Sequence, residues 1–449
     1  MGAPPETIAA GGIAREPGLR RLIGPWLLVL FIVGDLLGTG IYSLTGALAG
    51  YVGGAVWVPF VAAVVIALFT ACSYLELVTK YPSAAGAALY VDKAFRRRWL
   101  TFVVGFAVMC SGITSASTAS RAFAANLADA FDLGLRGGAG ITVVGLAFLI
   151  TVSLINWRGL SESLIANVIL TLVEAGGLLL VIGIGAWAVA RGEGEPGRAL
   201  QFGAGFLGPA LTATTLGFFA MIGFEDSVNM VEETRDPART FPRALFLALG
   251  VTAAIYVAVS VAAVSLVPPE RLATSGEAPL LLVVRTGAPG FPLWIFGVIT
   301  MFAVANTALL NMMMASRLVY GMARAGVLPA ALGVVHPTRR TPSTAILFTS
   351  AVAFLLIAFV GELPALAGTT TLLLLCVFAV VDVAVLILRR EKVEHDHFRA
   401  PTALPILGAL SCIALVGPWS GRPAEQYVIA AVLVGVGAVL WCVAARATR

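Results

Sequence analysis

Charge is what this chain has least of. Only 12% of its 449 residues are Asp, Glu, Lys or Arg, against about 25% in an average soluble domain. That scarcity excludes an ordinary soluble protein. Histidine is scarcer still: three residues, His336, His395 and His397, all in polar connections, so none serves inside an apolar span. His395-Asp396-His397 is the one short string that resembles a metal site, and it reads as a solvated loop. The five cysteines (Cys72, Cys110, Cys376, Cys412, Cys442) fall in apolar runs and show neither metal spacing nor a disulfide framework. No Ser/His/Asp set and no phosphate loop occurs. The chain is therefore not expected to be an enzyme, to bind a metal or to carry a cofactor. No cleavable signal is expected, because the first apolar run is too long for one. Nor does the net charge of +5 imply a nucleic-acid partner.

Apolar residues make up 59% of the chain, which marks a multi-pass membrane protein embedded in a lipid bilayer. Apolar runs of the length a spanning helix needs, about 20 residues, fall at 24–48, 53–79, 99–127, 139–157, 162–190, 206–231, 241–266, 290–322, 343–360, 363–388, 402–418 and 425–445. This predicts an all-α fold of twelve transmembrane helices. With both termini placed inside, 22 of the basic residues fall on the inner side and 6 on the outer, the bias of a correct topology. The outer six are Arg136, Arg191, Arg198, Arg271, Arg285 and Arg422, while Arg121 sits at the outer interface and snorkels. The inner set includes Lys80 and Arg317. No soluble domain is expected beyond the spans. The longest outer connection, 267–289, reads either as short capping helices or as a plain loop.

Two spans are interrupted. The first carries V-G-D-L-L-G-T-G-I-Y over 33–42, and the sixth L-G-F-F-A-M-I-G-F-E-D-S-V-N over 216–229. Glycine loosens a helix by about 1 kcal/mol, and a carboxylate in hydrocarbon costs at least ~2.5 kcal/mol. Unwound backbone at that depth is tolerated only against protein or water. Breaks in corresponding spans of two halves point to a transporter binding site. Spans 3 and 8 are both unusually long, as tilted helices are. The expected organisation is an inner tail (1–22), a first five-helix repeat (23–190), an inverted second repeat (191–388), two further helices (389–445) and an inner tail (446–449).

The breaks define candidate residues. At Gly38, Thr39, Gly40 and Ile41 an interrupted helix would free amide N–H groups at the positive end of its outer half, a setting for a carboxylate. The alternative is a glycine kink for close helix packing. Around Gly223, unwinding would expose carbonyl oxygens suited to an ammonium group. Glu174 lies about 18 Å into span 5 and Asp35 about 16 Å into span 1, at 1.5 Å per residue. Two acids at similar depth form a candidate interacting pair, one of which would hold a proton near neutral pH. A neutral Glu174 could instead make a helix–helix hydrogen bond. Glu225 and Asp226 begin the inner half of span 6, where acids also serve as helix caps. Asn306 and Thr307 in span 8 are candidate oxygen ligands or interhelical polar contacts. Asp382 is read as the partner of Arg389 and Arg390 at the inner surface, and Glu76 as a brace of an inner gate.

Four segments resemble the amino acid–polyamine–organocation permeases: G-T-G-I at 38–41, C-S-Y-L-E-L-V-T-K-Y-P-S-A-A-G-A-A-L-Y at 72–90, F-F-A-M-I-G-F-E at 218–225 with E-E-T-R-D-P-A-R-T-F-P-R-A at 232–244, and S-R-L-V-Y-G-M-A-R-A-G-V-L-P at 316–329. The resemblance implies the leucine-transporter-type fold of inverted repeats and an alternating-access mechanism. It implies that Gly38–Ile41 take a substrate carboxylate, and that Phe219, Ala220 and Ile222 offer carbonyls to its amine, with the Phe219 ring as a gate. Some proton-coupled members have lysine near the Glu174 position, so the glutamate is a departure. The expected function is secondary transport of an amino acid or related amine across the cytoplasmic membrane, coupled to protons, with sodium as the other coupling ion. Cationic amino acid or polyamine antiport, and a sensor that binds without transport, are the alternatives. Oligomeric state is not readable.

Overall fold

The structure, a computed structural model, describes residues 21–131, 133, 138–202, 205–275, 279–359 and 364–447. The N-terminal tail as far as Arg20, Arg136 and Arg449 lie outside the described residues. The helices are α1 (Pro25–Val52), α2 (Trp57–Lys80), α3 (Gly86–Phe95), α4 (Arg98–Ala130), α5 (Gly138–Arg158), α6 (Leu160–Ala190), α7 (Leu207–Gly217), α8 (Pro237–Leu266), α9 (Pro269–Ala273), α10 (Pro279–Gly287), α11 (Leu293–Arg324), α12 (Ser343–Phe359), α13 (Pro364–Leu388), α14 (Ala403–Val416) and α15 (Ala424–Ala447). Among the described residues nine helical stretches are long and apolar enough to cross a membrane, and α12 and α14 contain shorter apolar helices.

The connection after α2 carries a helix, α3. The outer connection after α8 forms helices α9 and α10, and both pack on α1. Leu272, Leu280, Val283 and Val284 are buried there, so the segment caps the C-terminal part of α1.

The two longest helices, α4 and α11, run along each other as the most extensive helix pair. At 33 and 32 residues they would extend about 50 Å, more than the ~30 Å of hydrocarbon, and so cross at a tilt. In lipid, helices associate through close packing and interhelical hydrogen bonds more than through hydrophobic burial. The core shows both. Tyr74, Phe224 and Phe378 meet edge-on or tilted, with ring centroids 5.4–5.9 Å apart. This cluster joins α2, the sixth span and α13, and fixes the broken span on its buried side.

Three charged residues sit elsewhere than their sequence positions suggest. Arg317, expected on the inner surface, is fully buried and paired with Glu233 at 3.3 Å. Lys80 is buried at the end of α2, where its ammonium donates to the carbonyls of Leu388 and Glu391, both at 2.6 Å. It thus caps the C-terminal, negative end of α13. Asp382 makes no surface ion pair: it is fully buried and accepts from the Thr70 hydroxyl at 3.1 Å. Seven residues along α13 carry it about 10 Å deeper than Arg389, whose guanidinium instead grips Glu76 with bonds of 2.8 and 2.6 Å.

Candidate functional site

The break in α1 is confined to one residue. Gly38 alone has non-helical dihedrals (φ 10°, ψ −164°), and the helix resumes at once. The backbone of Thr39, Gly40 and Ile41 therefore forms the first turn of the C-terminal half of α1, the half that the expected topology places outside. The Thr39 side chain lies outside the described residues. Ile41 is buried, and its carbonyl accepts from the Thr45 hydroxyl at 2.7 Å.

The sixth span opens more widely. After α7 the chain passes through a 3₁₀ turn (Phe218–Met221), an extended Ile222 (φ −72°, ψ 133°) and then Gly223. Gly223 has φ +133°, a conformation that only glycine adopts readily. The inner half, Asp226–Glu233, is 3₁₀ over 8 residues, unusually long for that conformation. Of the carbonyls at the break, Phe219 accepts from the Ile222 amide and Gly223 from the Asp226 amide. Glu225 reaches back, accepting from the Gly223 amide at 2.9 Å.

The two breaks touch. A Cβ on Gly40 would lie 2.7 Å from the Ala220 Cβ, so the first turn of outer α1 rests against the span-6 break because residue 40 has no side chain. A Cβ on Gly38 would lie 3.1 Å from the Thr307 hydroxyl of α11, and one on Gly223 2.9 Å from the Asp35 carboxyl carbon. Tyr256, from α8, completes the junction. Its hydroxyl lies against the Leu36 carbonyl on one side and the Ala220 carbonyl, at 3.0 Å, on the other. One side chain thereby serves a carbonyl from each interrupted span. Phe219 is half-buried, while its neighbour Phe218 is fully buried.

Behind α1 lies a polar cluster. Asn167, Thr171 and Glu174 stack on one face of α6, at spacings of four and three residues. The Asn306 carboxamide from α11 donates to the Gly34 carbonyl (3.2 Å), the Thr171 hydroxyl (3.0 Å) and Glu174 Oε2 (3.3 Å). Two hydrogens are thus shared among three acceptors. Its Oδ1 accepts from Asn167 at 3.0 Å, and the Tyr42 hydroxyl donates to the Glu174 backbone carbonyl at 3.0 Å. Glu174 is fully buried, and its Oε1 lacks a hydrogen-bond partner among the described residues, as does Asp35 Oδ2. Asp35 turns instead toward span 6, where its carboxyl group lies against Gly223. Glu225 and Asp226 are themselves buried.

The structure thus gathers Gly38, Gly40, Ala220, Gly223, Asp35 and Thr307 at the junction, and sets Glu174 and Asn306 behind it. Asn306 acts as an interhelical donor here. Sequence reasoning missed Tyr256, Asn167 and Thr171. The last two were detectable as polar residues one and two turns before Glu174 on the same face. Tyr256 had no such signal.

The sequence pattern of a family described as amino acid permease matches residues 23–441. A branched-chain amino acid permease of Bacillus subtilis is 28% identical over 89% of this chain and 88% of its own. The methylthioribose transporter of the same organism is 27% identical over 91% and 90%. A low-affinity putrescine importer of Escherichia coli is 27% identical over 90% and 89%. The chain is thus a member of the amino acid permease family, within the amino acid–polyamine–organocation superfamily, a family of membrane transport proteins and not of enzymes.

Proposed function

We propose that the protein is a secondary transporter of an amino acid or related amine, working by alternating access in the cytoplasmic membrane with both termini inside. Its twelve spans would comprise two inverted five-helix repeats and two further helices. Helix pairing supports the repeats. α1 packs on α8 as span 6 packs on α2, and α6 packs on α11 as α13 packs on α4, while α4 and α5 meet their own counterparts, α11 and α12. A two-fold relation between the halves would produce those matches.

The observation that carries the reading is the junction at Gly40, Ala220 and Tyr256, where two interrupted spans meet backbone to backbone. The substrate carboxylate would take the amides of Thr39–Ile41, and the amine the carbonyls of Phe219, Ala220 and Ile222. The half-buried Phe219 ring would cover it. In the closed packing described, the Ala220 carbonyl rests on Tyr256, so substrate entry would share or displace that bond.

Coupling would use a proton on Glu174, with Asp35 facing the acids of span 6. A buried carboxyl with a single donor is tolerated as the neutral acid or beside a cation. Proton coupling therefore fits the site, and sodium is the competing occupant. Uptake into proteoliposomes tests this: an inward proton gradient should accelerate it, and Glu174→Gln should abolish that acceleration. Gradient-independent uptake that E174Q leaves unchanged would overturn the coupling.

A second reading, import or exchange of cationic amino acids or polyamines, is favoured by the four buried acids Asp35, Glu174, Glu225 and Asp226. The putrescine importer and a vacuolar cationic amino acid transporter of Arabidopsis thaliana, 28% identical over 81% of this chain and 62% of its own, are among the relatives. Competition of uptake by arginine or putrescine, against leucine or alanine, separates the two. Saturable binding without uptake would instead support a sensor.

A further inference from the structure

A second site lies away from the junction, on the lipid-facing side of α5 and α12. Only 22% of the apolar span of α5 is buried within the molecule, against 67% for α13. Between α5 and α12 runs a groove of about 600 Å³, walled by Leu149, Leu154, Trp157, Leu347 and Phe354 among others. Leu154, Leu347 and Phe354 are exposed. The two serines that face each other across it, Ser153 and Ser350, are hydrogen-bonded at 2.9 Å, which leaves the floor apolar. From Leu149 to Trp157 the groove rises about 12 Å, most of the depth of one leaflet.

At the α6 end of this groove is a second cavity, of about 230 Å³, lined by Arg158, Arg339, Arg340 and the start of α6 at Gly159–Ser161. The two cavities adjoin: Arg158 follows Trp157 in the chain, and the Arg339 guanidinium donates to the Trp157 carbonyl at 3.4 Å. Trp157 marks the membrane interface, where tryptophan is enriched. Glu162 also lines the basic cavity. It folds back over Gly159, its Oε2 lying 2.4 Å from where a Cβ there would sit, and three cations against one carboxylate leave the cavity positive. An apolar trough one leaflet deep, ending in a cationic cup at the interface, matches a molecule with an acyl chain and an anionic head.

We propose that the α5–α12 groove and the Arg158–Arg339–Arg340 cavity together bind one anionic phospholipid from the leaflet on the basic side. An acyl chain occupies the groove, and the phosphate sits on the arginines and the first amides of α6. The groove selects for lipid and the arginines for negative charge.

Native mass spectrometry of the purified full-length protein, released from detergent after incubation with equal phosphatidylglycerol and phosphatidylcholine, tests this. The wild-type protein should retain phosphatidylglycerol at least about tenfold over phosphatidylcholine, since each basic residue near an anionic headgroup is worth about fivefold. Arg158→Gln/Arg339→Gln/Arg340→Gln should bring the ratio to within twofold. Ala351→Trp, which fills the groove at a lipid-exposed position, should remove the bound phosphatidylglycerol. Both variants must keep the wild-type melting temperature in detergent, and the single Arg339→Gln, expected to lose about fivefold, serves if the triple variant does not. A preference that survives the arginine changes overturns the proposal. So does displacement of the lipid by millimolar inorganic phosphate with A351W binding phosphate normally, which would make the cavity a free-anion site. Conversion of a dimer to a monomer by A351W overturns it as well, because the groove would then be a contact between copies of this chain.

Discussion

Tyr256 is the one side chain described that bonds the backbone of both interrupted spans. Its hydroxyl joins carbonyls that two separate helix breaks leave open, and the ring is fixed against Phe60 at 5.0 Å. Tyr256→Phe keeps the ring and removes the single hydroxyl hydrogen that the two carbonyls share, a loss of roughly 1–3 kcal/mol. The expected result is a lower melting temperature together with uptake reduced at least tenfold. A change in stability alone, with full uptake, would confine Tyr256 to a packing role. Gly40 gives a second residue-scale prediction. Gly40→Ala would drive a Cβ to within 2.7 Å of that of Ala220, and overpacking of this kind costs about 1–3 kcal/mol. Uptake should fall severalfold or more, while Gly176→Ala, which points into open space, should leave it intact. Much at this scale was legible in the sequence. Gly38, Gly223, Asp35 and Glu174 each incur a cost inside an apolar span, and a cost without local compensation marks a tertiary role. Tyr256 incurs none, because a tyrosine in an apolar span is ordinary, and its partners exist only once both spans have opened.

At the scale of elements, the inner half of span 6 is held from several sides. Ile23, just before α1, donates to the Glu233 carbonyl at 3.0 Å and accepts from the Arg235 amide at 2.9 Å. Glu232 accepts from the Ala84 amide at 2.9 Å, and Glu233 pairs with Arg317 of α11 inside the protein. A buried ion pair is weak evidence for stability as a pair, but removing one member leaves an uncompensated charge and costs about 3–5 kcal/mol. Arg317→Met and Glu233→Leu should each lower the melting temperature strongly, and the double variant should recover most of the loss. Additive losses would mean that the two residues act separately. The sequence located both residues within family-like segments yet set Arg317 among the surface charges. Counting basic residues by side assigns every arginine near a helix end to solvent, and only the packing of α11 on span 6 shows that this one turns inward. The breaks themselves were read correctly in position. Their extent was not: one residue suffices in α1, whereas span 6 needs a 3₁₀ turn, an extended residue and a second 3₁₀ segment.

For the molecule as a whole, in the topology proposed above, packed elements lie on both the outer and the inner side of the junction. Outside, α9 and α10 lie on α1, with the Leu272 carbonyl 2.5 Å from where a Cβ on Gly46 would sit. Inside, α2 is clamped to the end of α13: Lys80 covers the carbonyls of Leu388 and Glu391, and Glu76 accepts from Arg389 and from the Ala400 amide at 3.0 Å. The alternating access proposed above would require one of these closures to release while the other holds. The inner clamp can be weakened at a single charge, since Glu76 is 1% exposed and takes charge-assisted bonds of 2.8 and 2.6 Å from Arg389. Such bonds are roughly twice as strong as neutral ones. Arg389→Gln should therefore shift the population toward states open on the inner side. Cys72 reports on this, because it lies buried one turn before Glu76 in α2. In a variant retaining Cys72 as its sole cysteine, labelling by a membrane-permeant maleimide should be slow, and Arg389→Gln should accelerate it severalfold. Glu76→Gln should do the same, because it too leaves the clamp without its ion pair. Glu76→Leu/Arg389→Met, which replaces both charges with apolar contact, should return labelling toward the original rate. If all three variants label like the parent, the clamp holds helices together without taking part in the cycle, and release on the inner side must run through the Ile23–Glu233 and Arg317–Glu233 contacts.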